Sequence, residues 1–181
     1  FISEIFPKET SSKINIPISM FPHSSDTSGS LLTLLDYPSK NNQIKGLILV
    51  LHGLGGSSQR NGLKRMAINL QKAGFATLRI NLRGAGDSRN LSGGTYSAKC
   101  TKDLIPIIKK AKEICNQILK NSNYYSKKKL PLYSVGISLG GTILLNACLE
   151  KSHTNESLFD GLVCTSSPLD LLECSKYIER D

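Results

Sequence analysis

From Gly46 onward, short wholly apolar runs alternate with stretches whose apolar residues recur every three or four positions, and few architectures accommodate that pattern. An apolar run without polar alternation is buried on both faces, as strands are in a parallel sheet covered by helices. Such runs stand at 46–52 (GLILVLH), 75–82 (FATLRINL), 130–137 (LPLYSVGI) and 159–166 (FDGLVCTS). Between the first two, Gln59 to Ala73 reads as a helix with Leu63, Met66, Ala67 and Leu70 on one face and Gly74 at its C′ position. Asp103 to Leu119 is a second helix, turning Leu104, Ile107, Ile108, Ala111, Ile114, Cys115 and Ile118 inward and Lys109, Lys110, Lys112 and Lys120 to water. Pro106 fits only if Asp103 lies near the N-cap, since first-turn residues have no intrahelical N–H bond to lose. Leu139 to Leu149 and Pro168 to Glu179 complete the helices. Upstream, Ile14 to Ser19 and Leu31 to Tyr37 read as an antiparallel strand pair joined through Phe21 to Gly29. The order β-β-β-α-β-α-β-α-β-α predicts an α/β fold, a mainly parallel sheet with helices on both faces. No repeat or linker marks a second domain, so 1–42 are leading strands and loops and 43–181 the alternating core.

Several function classes are excluded by composition. No run approaches the roughly 18 apolar residues of a membrane span, so no stable membrane insertion is expected. The opening FISEIFPKET carries Glu4 and Glu9 without a basic lead into an apolar segment, unlike a secretory leader, and it starts at Phe1 rather than Met, which leaves the position of the native start open. Five cysteines (Cys100, Cys115, Cys148, Cys164, Cys174) have no metal-like spacing and read as reduced thiols of a cytoplasmic protein, with no metal expected. The net charge of +9 is spread over helical faces and the run Lys127-Lys128-Lys129, without interleaved stacking aromatics. That is a solvated surface, with an anionic partner as the alternative, and not a nucleic-acid site.

Chemistry is suggested first by Gly136-Ile137-Ser138-Leu139-Gly140, a G-x-S-x-G that closes a strand and opens a helix. In that setting a nucleophile elbow holds its serine on a tight turn with Oγ exposed; side chains at 136 and 140 would crowd the turn, and Gly141 lets the helix pack closely. The alternative is an ordinary strand–helix turn in which Ser138 caps the helix. A second motif, His52-Gly53-Leu54-Gly55-Gly56-Ser57-Ser58, directly follows the first parallel strand. It suits an oxyanion loop, with the amide of Leu54 paired with that of Leu139, the residue after the nucleophile, and His52 shaping the loop. Its rival is a dinucleotide loop, G-x-G-x-x-S, for which Arg83 would suit a 2′-phosphate; against it, Ser58 stands where the third glycine belongs and no acidic residue ends the next strand. Third, Arg83-Gly84-Ala85-Gly86-Asp87-Ser88 forms a tight loop that an Arg83–Asp87 pair would brace.

HGLGGSS, NLRGAGDS, VGISLGG and SSPLDLLECSKYIER together resemble the YheT-like branch of the α/β-hydrolase superfamily. The resemblance implies an eight-stranded sheet, a Ser, Asp, His triad and carboxylesterase or lipase-like activity on small-molecule or lipid esters, without a cofactor. Ser138 matches the nucleophile and the loop after His52 the oxyanion loop. The family's acid and histidine lie on later loops, whereas here the only histidine beyond Ser138 is His153, expected on an exposed loop remote from the nucleophile; Asp170 reads as an N-terminal helix carboxylate. The expectation is a C-terminally truncated α/β-hydrolase domain, inactive by itself, whose parent is a serine esterase. Its alternatives are a non-catalytic binding module of the same fold and an NADP-binding Rossmann-like domain.

Overall fold

The computed structural model describes residues 11–38, 43–121, 129–154 and 157–179. Glu4, Glu9, Lys127 and Lys128 lie outside these residues. The chain runs β1 (Ser12–Ile18), β2 (Gly29–Asp36), β3 (Leu47–Leu51), α1 (Asn61–Lys72), β4 (Ala76–Ile80), α2 (Leu104–Asn121), β5 (Leu132–Ile137), α3 (Leu139–Lys151), β6 (Gly161–Thr165) and α4 (Leu171–Ile178). Among the described residues these strands form one six-stranded sheet in the order β1-β2-β4-β3-β5-β6. β1–β2 and β2–β4 are antiparallel; the other pairings are parallel. This is the expected α/β architecture.

β3 sits at the centre, every residue buried. Its side chains alternate between two cores because successive strand residues face opposite ways. Leu47, Leu49 and Leu51 join Ile107, Ala111 and Ile114 of α2 and Ile143 and Leu144 of α3. Ile48 and Val50 instead pack with Leu63, Met66 and Leu70 of α1. Glycine ends α1 as its sequence predicts: Gly74 adopts φ +94° and donates to the Gln71 carbonyl at 2.9 Å.

Upstream of α2, a 3₁₀ turn over Cys100–Asp103 leads into the helix at Leu104, which leaves Pro106 within the first turn. Asp103 does not serve as a cap there. Its carboxylate turns to Arg83, described below. Asp170, by contrast, is the N-cap of α4 and accepts from the Glu173 amide at 2.9 Å.

Candidate active site

The turn between β5 and α3 is built by three glycines whose missing side chains let neighbouring groups close in. A Cβ on Gly136 would lie 2.4 Å from the Gly141 Cα, one on Gly140 2.5 Å from the His52 carbonyl oxygen, and one on Gly141 1.9 Å from the Ser167 Oγ. The elbow is thereby pressed onto the end of β3 and onto the segment after β6. At its tip Ser138 adopts φ 51° and ψ −127°, a conformation that costs a non-glycine residue on the order of 1–3 kcal/mol. Its amide donates to the Thr165 carbonyl at 2.8 Å, which holds the strained turn from below. The side chain makes no capping bond, so the reading of Ser138 as a helix cap is not met.

Facing it is the loop after β3. A Cβ on Gly53 would lie 2.8 Å from the Ser138 Cβ and 3.4 Å from its Oγ, so the bare glycine backbone lies against the serine. Among the described residues the amides of Leu54 and Leu139 donate to no protein group. The Leu139 amide is one of the orphan donors that begin any helix. Gly55 has φ +64°, as a turn residue without a side chain allows.

His52 shapes this loop. It is fully buried, accepts from the Leu82 amide through Nε2 at 3.1 Å, and lies 2.8 Å from the Gly53 oxygen through Nδ1. The Leu82 bond needs a bare Nε2, so the ring is neutral and Nδ1–H donates to Gly53. Burial pushes its pKa below the ordinary histidine value, in the same direction. With both nitrogens engaged, His52 is no base for Ser138. His153 is exposed just past the C-terminal end of α3, and His23 is exposed near the start of the chain; neither hydrogen-bonds Ser138.

The third motif departs from expectation. Arg83 does not pair with Asp87. It binds Asp103 through Nε at 2.9 Å and Nη2 at 2.7 Å, and donates to the carbonyls of Met20, Gly93 and Ser19 at 2.9, 3.0 and 2.9 Å. All the guanidinium donors are used and the residue is 1% exposed, so none is left for a 2′-phosphate. Asp87 instead faces Gln59 at 3.3 Å and Lys13 at 4.0 Å. Asn81, at the end of β4, accepts from the Ser58 amide at 2.8 Å, which ties down the far end of the glycine loop in place of a ribose-binding acid.

Two further residues belong to this assembly without any sequence motif to betray them, Asp103 and Tyr96. The Tyr96 hydroxyl donates to the Gly53 oxygen at 3.1 Å and accepts from the Gly55 amide at 2.8 Å. Beside it a cavity of about 490 Å³ opens between the two loops, lined by Gly55, Ser57, Arg60, Gly86 and Arg89. Among the described residues no three His, Cys, Asp or Glu side chains gather as a metal site, and no helix is long and apolar enough to cross a membrane.

Residues 42–175 match the sequence profile of the family described as serine aminopeptidase, S33. Medium-chain fatty acid ethyl ester synthase/esterase 2 of Saccharomyces cerevisiae is 28% identical over 136 residues, which cover 75% of this chain and 27% of that protein. Embryogenesis-associated protein EMB8 of Picea glauca is 32% identical over 126 residues, covering 70% of this chain and 24% of that protein. The chain thus spans about a quarter of the length of these curated relatives. Among solved structures, a soluble variant of the Saccharomyces cerevisiae monoglyceride lipase superposes with a TM-score of 0.67 at 20% identity, over 96% of this chain and 51% of that one. XC6422 of Xanthomonas campestris, an α/β serine hydrolase without a lid, gives 0.63 at 19% identity, over 92% and 65%. At these identities the structural likeness is one of fold.

Proposed function

The chain belongs to the serine aminopeptidase S33 family of the α/β-hydrolase superfamily, and from that premise we propose that it is the nucleophile-bearing part of a serine hydrolase acting on small-molecule or lipid carboxylic esters. The observation that carries this reading is Ser138 itself, uncapped and strained on a glycine elbow, with Gly53 of the opposite loop against it. Its Oγ attacks the ester carbonyl carbon while its proton passes to a histidine; the carbonyl oxygen becomes the oxyanion and accepts from the Leu54 and Leu139 amides. Collapse of the adduct expels the alcohol, which takes up that proton, and water then releases the acid from the acyl-enzyme. The ester preference draws on relatives named as an ethyl ester synthase/esterase and a monoglyceride lipase. The order of its motifs supports the YheT-like branch within the superfamily.

None of the three histidines in residues 1–181 is placed to take the proton, so we assign the base to a histidine outside these residues. A fluorophosphonate probe should label the full-length protein at Ser138, and Ser138→Ala should abolish labelling. On a short p-nitrophenyl ester, residues 1–181 alone should fall about 10⁴-fold or more below the full-length protein, as triad loss does. Labelling at another serine would sink the assignment of Ser138. Comparable turnover by 1–181 that His153→Ala eliminates would put the base within this chain. Absent labelling with retained ligand affinity would favour a binding module.

A further inference from the structure

We infer that Tyr96 is a positioning residue of this site, its hydroxyl holding the Gly53–Leu54 peptide in the orientation that offers the Leu54 amide to the oxyanion. The inference rests on the reading of that amide as an oxyanion donor.

A peptide unit is planar, and its C=O and N–H point in opposite directions. Whatever fixes the Gly53 oxygen therefore aims the Leu54 N–H the other way. That oxygen has three donors: the Gly56 amide at 3.1 Å, His52 Nδ1 at 2.8 Å and the Tyr96 hydroxyl at 3.1 Å. Two of them come from the loop or its stem. Tyr96 alone reaches in from a distant segment, beyond β4.

The loop needs such a brace. Gly53, Gly55 and Gly56 have no side chains to anchor, and Leu54 is 73% exposed, so no side chain of residues 53–56 holds the turn. Tyr96 spans Leu54 from both sides, donating to the residue before it and accepting from the amide of the residue after it, at 2.8 Å. One hydroxyl thus uses its donor and an acceptor position on the two groups that flank the oxyanion amide. Its ring stands edge-on to His52, centroids 5.4 Å apart at 89°, against a side chain itself fixed by the Leu82 amide. Were the peptide to flip, a carbonyl oxygen would replace the N–H at the oxyanion and repel it.

The test is Tyr96→Phe in the full-length protein, which keeps the ring and removes the hydroxyl. Deleting an oxyanion donor outright lowers kcat by about 10²–10³; loosening one should lower it by about tenfold. KM on a p-nitrophenyl ester should stay within about twofold, because the ground-state carbonyl needs this amide less than the adduct does. Affinity for an alkyl boronic acid, whose serine adduct is tetrahedral and anionic, should fall in step with kcat. A purely structural role would not link those two. Unchanged kcat, or a change in KM alone, overturns the inference. If wild-type protein does not react with fluorophosphonate, the hydrolase reading and this inference fall together; if it reacts and Tyr96→Phe reacts at the same rate, only this inference falls. Should the variant not fold, hydrogen exchange in the wild type reads the brace directly: the Gly55 amide should be protected relative to that of Leu54, and equal exchange overturns it.

Discussion

His52 makes two bonds that only one protonation state allows, because a proton on Nε2 would abolish the acceptor of the Leu82 amide. Burial alone already keeps its pKa below the ordinary value of 6.5. The unfolded chain, with its ordinary imidazole, therefore takes up the proton first as the pH drops. Stability should be fully present above about pH 6.5 and decline below it, until the folded imidazole also protonates. Urea unfolding of wild type and His52→Gln across about pH 5 to 8 isolates the effect. The variant should lose this part of the pH dependence, and identical slopes would exclude it. Cys115 behaves in the opposite way: burial pushes its thiol up to about 11, so it stays protonated and unreactive within the α2 core.

Between elements, Arg83 ties the exit of β4 to the start of α2 and to the connection between β1 and β2. Asp103→Ala would leave a fully buried guanidinium without its counter-charge, a change that removes about 3–5 kcal/mol from stability. Thermal or urea unfolding measures it, and a loss below about 1 kcal/mol, the range of an exposed pair, would refute the role. This pair also marks where sequence reasoning stops. The succession of strands and helices along the chain, the inward faces of α1 and α2, the Gly74 terminus and the glycine turn follow from periodicity and local turn chemistry, and each lies where its own residues say. Arg83 was expected to pair with its near neighbour Asp87; three inward carbonyls, from Ser19, Met20 and Gly93, draw the guanidinium away to Asp103 instead. Tyr96 is unreadable for the same reason, since its partners lie 43 and 41 residues away and follow no spacing. Even β1 begins earlier than its apolar run, because Ser12 and Lys13 pair with Leu35 and Leu34, so the partner strand sets its length.

Across the whole molecule the two sheet faces are covered unequally. α1 packs over β3, while Tyr133, Val135 and Ile137 of β5 stay only half-buried on that side. Val163 of β6, paired with Val135 and sharing its face, is 54% exposed, and beyond it Leu169 and Leu172 are 84% and 68% exposed. Residues 1–181 expressed alone should therefore self-associate, and Val163→Lys should shift sedimentation toward the monomer. An unaltered distribution would mean that this flank is not what associates. The opposite end of the sheet has apolar cover, with Ile16, Ile18, Leu31 and Leu35 buried in the core, and is tied by arginines as well. Arg79 reaches Asp36 of β2 at 3.1 Å, and Arg83 reaches the carbonyls of Ser19 and Met20 at 2.9 Å each. On the ribosome the β1–β2 hairpin is made before the other described strands, yet it has none of them to join until β4 has emerged. Arg83 in turn cannot be buried beside it until Asp103 has cleared the exit tunnel to balance its charge. Of the described strands, the first two to be synthesised thus wait for β4 and Asp103 before they are locked in place, and only β5 and β6 join the sheet after them.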